Sequence, residues 1–238
     1  MSKGNLPPPD PARRRFFQAA GAAAALPAVL PTASRAQGAP PKAHLFFNPA
    51  EAAFIEAAVA RLIPKDETGP GALEAGVPEY IDRQLAGAWG AGERLYRSGP
   101  WHPGTPSQGY QLPFTPAELF RTAIRKINET NAGFTKLPAQ DQDAYLDSLQ
   151  KGNVELGGVP SKVFFESLLE ATVEGFFCDP AYGGNRDMVA WKMIGFPGAY
   201  ADFYELVDRH GAAYHAPPTS LAQDARGNVH LLHHERKT

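Results

Sequence analysis

PSKVFFESLLEATVEGFF, residues 160–177, decides the fold class, because it is the greasiest of five long stretches with helical spacing. Phe164, Phe165, Leu168, Leu169, Val173 and Phe176 recur every three or four positions, so the stretch is predicted to be a helix with these side chains facing the core. Working outward, LPAQDQDAYLDSLQKG (137–152) reads as another helix, with Gly152 just past its end. TPAELFRTAIRKINET (115–130) carries a full start signal: Thr115 as cap, Pro116 in the first helical position and Glu118 closing a capping box. Its buried face is Leu119, Phe120, Ala123, Ile124 and Ile127. NPAEAAFIEAAVARLIP (48–64) repeats that signal with Asn48, Pro49 and Glu51, and Pro64 stops it. Between them, VPEYIDRQLAG (77–87) turns Tyr80, Ile81 and Leu85 inward, and the Pro/Gly-rich residues 87–113 are expected to be irregular.

Beyond residue 177, shorter helical patterns occur at RDMVAWKMIG (186–195) and AYADFYELV (199–207), and the polar residues after Gly211 are expected to be loose. No useful alternating pattern of a strand is present. The expectation is therefore all-α: a single compact helical domain with long Pro/Gly-rich loops, preceded by a signal peptide. Its parts are a signal at 1–36, a lead-in linker at 37–47, the helical domain at 48–210 and a polar tail at 211–238.

The N-terminal region reads as an export signal. Arg13, Arg14 and Arg15 precede a weakly apolar run from Ala19 to Leu30 that is too short to span a bilayer and is broken by Pro27. Arg13 and Arg14, followed by Phe16 and Phe17, resemble the twin-arginine motif, whose pathway exports folded proteins. Ser34 and Ala36 have signal-peptidase spacing, which places cleavage after Ala36. Cleavage there leaves 202 residues, enough for one domain with a proper core. It also removes five basic residues and one acidic one, so the formal charge falls from −2 to −6. An acidic balance argues against a nucleic-acid partner. Cys178 is the single cysteine, so no internal disulfide or cysteine-rich metal site can form from this chain.

Catalytic motifs are scarce. The chain has no dinucleotide fingerprint, P-loop, nucleophile elbow or HExxH helix. His230, His233 and His234 cluster in the polar tail without an acidic or cysteine partner that would fix a metal site; His102 beside Trp101 suits a structural or partner contact. Asp141 and Asp143, like Asp66 and Glu67, fall on helix starts and turns, where they solubilise or favour the helix dipole. No catalytic, cofactor-binding or metal residue is assigned.

The unusual segment is EGFFCDPAYGGNRDMVAWKMIGFPGAY (174–200), dense in aromatics and punctuated by Pro and Gly. Asp179–Pro180 turns the chain, and Gly183–Gly184–Asn185 allows positive φ. Two readings fit its chemistry equally: a packed helix–loop–helix corner, or a rigid surface whose Tyr, Trp and Arg anchor a partner.

Together, LIPKDETGPGALEAGVPEYID (62–82) and GFFCDPAYGGNRDMVAWKMIGFPGA (175–199) resemble the gluconate 2-dehydrogenase subunit 3 family, and the likeness runs from about residue 46 to residue 200. The resemblance implies a non-catalytic small (gamma) subunit of a membrane-associated FAD-dependent sugar or sugar-acid dehydrogenase. A flavoprotein of the glucose–methanol–choline type would oxidise the substrate, and a cytochrome c subunit carrying haem c would pass the electrons on. The small subunit would hold no cofactor, support flavoprotein maturation, and take the FAD-loaded partner through the twin-arginine machinery. Its location would be periplasmic, at the inner membrane through its partners. The corner would be the grip, through Phe177, Cys178, Asp179, Pro180, Tyr182, Gly183, Gly184, Asn185, Arg186 and Trp191. Cys178 is either half of an intersubunit disulfide or a buried thiol. A transient chaperone and an independent oxidoreductase are the alternatives, and the resemblance does not choose between gluconate, glucose, fructose and related substrates.

Overall fold

The computed structural model describes residues 43–102, 104–131, 133–199, 206–211 and 216–232. The expected export signal with its expected cleavage point, the central part of the helix expected at 199–207, and His233 and His234 lie outside the described residues.

The sequence's capping signals are realised atom for atom. Helix α1 (Pro49–Leu62) begins on Asn48, whose Oδ1 accepts from the Ala50 and Glu51 N–H groups while Glu51 accepts from Asn48 N–H. Helix α4 (Pro116–Thr130) starts the same way on Thr115 and Glu118. Between them lie α2 (Val77–Ala86) and a one-turn helix α3 (Ala88–Ala91), the latter inside the stretch expected to be irregular. Helix α5 (Ala139–Gln150) follows, with Gly152 at φ 79° just beyond it.

Helix α6 (Ser161–Phe177) packs against α1, α2, α4 and α5 and is the hub of the domain. Phe164 stacks on Phe54 (centroids 6.4 Å apart) and meets Phe120 edge-on at 5.4 Å, while Phe54 touches Phe134 at 5.0 Å. All four rings are buried.

The inward stripe of α6 departs from the sequence reading at one end. Its buried positions are Ser161, Phe164, Phe165, Leu168, Ala171, Thr172, Gly175 and Phe176, at strict helical intervals. Val173, expected in the core, is 43% exposed, and Leu169 is only half-buried. Small residues hold the stripe because α2 comes close: a Cβ on Gly175 would sit 2.7 Å from the Tyr80 ring. Thr172 resolves its buried hydroxyl by donating to Leu168 O at 2.6 Å.

The described residues also hold one small antiparallel pair, so the fold is mainly α. Strands β1 (Glu155–Leu156) and β2 (Val159–Pro160) are joined by Gly157 and Gly158, both at positive φ as the tightest hairpin turn requires. The chain enters α1 through Leu45, Phe46 and Phe47, whose N–H groups all donate to the buried Asp82 carboxylate of α2 at 2.7–3.0 Å. No described helix is long and apolar enough to cross a membrane.

Candidate partner-docking corner

Helix α6 ends where its sequence stops supporting a helix. Cys178 is extended (ψ 166°), and Asp179 precedes Pro180, a position where αR backbone is crowded out. Asp179 then caps the 3₁₀ turn Pro180–Tyr182, its Oδ1 accepting from Ala181 N–H at 2.9 Å. Gly183 takes φ 98°. Gly184 lies against α6 so closely that a Cβ would come within 2.1 Å of Gly175 O.

Asn185 joins the two helices of the corner. It is fully buried at φ 42°, its Nδ2 donates to Cys178 O at 3.0 Å, and its Oδ1 accepts from Ala190 N–H at 2.9 Å. Its own N–H donates to Gly175 O. Asp187 and Met188 are also left-handed, both at φ 56°, just before helix α7 (Val189–Ile194). Three non-glycine residues in that region within four positions are a concentration of unfavourable backbone, sustained by their surroundings. Trp191 of α7 is buried, donates from Nε1 to Phe177 O at 2.7 Å and meets Phe196 edge-on at 5.1 Å.

These positions divide the sequence-derived interface residues into two groups. Asp179, Pro180, Gly184, Asn185 and Trp191 are buried and hold the corner together. Phe177 and Arg186 are exposed, while Cys178, Tyr182 and Gly183 are half-buried. Arg186 pairs with Glu79 of α2 at 3.3 Å. Beside Phe177, the outward apolar surface comes from residues outside the sequence-derived interface set: Val173, which was expected in the core, with Met193, Ile194 (57% exposed) and Phe196 (45%). The available signal was the brevity of α7, which ends at Gly195 in the left-handed region and leaves its last apolar residues, Met193 and Ile194, exposed.

The described part of the tail is tied down, contrary to the expectation that it is loose. Residues 216–232 fold back onto the corner. Thr219 brackets Gly198, accepting from Ala199 N–H and donating to Pro197 O. Ser220 Oγ donates to Asp179 Oδ1, Leu221 N–H donates to Asp179 Oδ2 at 2.8 Å, and Leu232 N–H reaches Ala181 O at 2.8 Å. Between these contacts, Asp224 closes a turn by accepting from Arg226 and Asn228 and by pairing with His230. Those bonds, Asn228 first, hold its carboxyl well below the usual range.

Cys178 lines a shallow hollow with Tyr80, Gln84, Glu174, Phe177, Asp179 and Tyr182. Burial pushes its thiol up to about 12. Tyr80 is raised too, by burial first and then by Glu174, to which its hydroxyl donates at 3.2 Å. A protonated, half-enclosed thiol is suited to packing, and an exchange-ready thiolate would need an electropositive setting. Among the described residues, no three His, Cys, Asp or Glu side chains are arranged to hold a metal ion.

A family model, gluconate 2-dehydrogenase subunit 3, matches residues 49–198, from the first turn of α1 through the corner to the glycine that meets the tail. The chain belongs to the gluconate 2-dehydrogenase subunit 3 family. The family is a subunit family, so the chain's setting is a multi-subunit gluconate 2-dehydrogenase complex. Residues 216–232, which close over the subunit 3 corner, lie beyond the matched span. No curated protein and no solved structure is significantly similar to the chain.

Proposed function

We propose that this chain is the non-catalytic small subunit of a periplasmic FAD-dependent dehydrogenase, and that it grips the flavoprotein by the outer surface of the corner. The observation that carries the reading is a fixed backbone presenting exposed apolar side chains. Asn185 and Trp191 anchor the corner internally, and Phe177, Ile194 and Phe196 are left facing outward at the end where Trp191 joins α6 to α7. Exposed apolar groups on a preorganised frame are what an interface needs, because little ordering is required on binding. The flavoprotein would carry the FAD and the chemistry, and a cytochrome c subunit would take the electrons. The Arg13–Arg14 signal would bring the folded pair through the twin-arginine pathway, since a flavoprotein loaded with FAD before export must travel folded.

Co-expression with the flavoprotein subunit of a gluconate 2-dehydrogenase tests this. The wild-type chain is expected to co-purify at one to one, and the Ile194→Asp/Phe196→Asp variant is expected to keep its helical circular dichroism while losing the flavoprotein. A wild-type chain that elutes alone, with FAD enzyme activity intact without it, overturns the reading.

A further inference from the structure

We propose that residues 216–232 are an intramolecular strap that holds the corner in its left-handed, docking-competent form. The Asp179 carboxylate is 8% exposed and pairs with no described cation. Its donors are Ala181 N–H from the corner itself, and Ser220 Oγ and Leu221 N–H from the strap. Without the strap the Asp179 carboxylate keeps one of its three donors and regains the others only from water, so a fixed tie across the corner is exchanged for a mobile one. The strap is therefore coupled to the turn that Asp179 caps, and that turn leads directly into Gly183, Gly184 and Asn185. The left-handed run Asn185, Asp187 and Met188 persists only while its neighbours over-determine it. Strap contacts on both sides of that run, at Asp179 and Ala181 before it and at Pro197 and Ala199 after it, supply that constraint.

The strap's own surface supports a role beyond filling space. Leu221 is 71% exposed although its backbone is pinned, so the strap adds an apolar side chain to the same end of the domain as Phe177. Detached, the corner would relax and dock more weakly. That consequence, and not the strap itself, rests on the proposed function.

Amide hydrogen exchange on the full chain tests the inference, using two variants. Ser220→Ala/Leu221→Pro removes both strap donors to Asp179 while altering one exposed side chain, and a second variant lacks residues 212–238. The amides of Asn185, Met188 and Ala190 are expected to exchange at least about tenfold faster in both, with those of α1 and α4 unchanged. Unaltered corner rates in the double variant overturn the proposal. If the truncated chain unfolds, α1 and α4 exchange faster too, and the double variant alone decides. Titration with the flavoprotein then separates the two readings. Wild type binding about tenfold tighter than the single variant Ser220→Ala, which keeps the exposed Leu221 side chain, supports the coupling. Equal affinity breaks the link between strap and docking, and no binding by wild type overturns the proposed function while leaving the exchange result standing.

Discussion

The two ends of α6 are held by opposite physics. Toward its N-terminus, Phe164, Phe165 and Leu168 are buried among Phe54, Phe120 and their neighbours, and stability there comes from apolar area removed from water. Toward its C-terminus the partners are Asn185, Asp179, Ser220 and the indole N–H of Trp191, each bonded to a specific backbone or carboxylate atom. The first arrangement tolerates changes of shape that conserve volume. The second is directional and contains left-handed residues, so it specifies one geometry at the expense of stability. The aromatic half holds the domain together, and the polar half fixes what the domain presents.

Substitutions can break or sharpen that contrast, and the largest effect belongs to the aromatic half. Phe164→Ala empties a site fully enclosed by Phe54 and Phe120, and chemical denaturation is expected to show a loss of about 3–5 kcal/mol. At the other end, Asn185→Ala leaves Cys178 O and Ala190 N–H without their partner and forces a left-handed alanine, for a loss of about 2–3 kcal/mol. Asn185→Gly removes the same bonds without the steric penalty and should be milder by about 1 kcal/mol. If the two variants are equally stable, φ at this position is not a source of strain. The smallest effect has the opposite sign. Asp187 is exposed at φ 56°, so Asp187→Gly should raise the melting temperature, by about 0.5–1 kcal/mol of stability. A destabilised variant would show that the Asp187 side chain contributes a contact worth more than the strain.

What the sequence made legible follows from the range of each signal. The starts of α1 and α4 were readable because Asn48, Pro49 and Glu51, like Thr115, Pro116 and Glu118, act within one turn of themselves. The positive φ of Gly183 and Asn185 was readable for the same local reason. In Val173 two signals conflict: its apolar side chain favours the core, while its helical phase puts it on the outer face. The true stripe runs through Thr172 and Gly175, whose smallness matters only when Tyr80 of α2 is known to be its neighbour. The strap was invisible because its anchor joins Asp179 to Ser220, 41 positions apart, with no periodicity to betray it. Polar character suggested a solvated tail, and one buried carboxylate reversed that outcome.

Asp82 carries a different lesson. By accepting three consecutive N–H groups from Leu45 to Phe47, it fastens the start of the domain to α2 from inside the domain itself. All of the atoms in this clasp lie within residues 45–82, so a chain cut at the Ala36 site expected from the sequence would keep the clasp whole and enter its first helix already fastened.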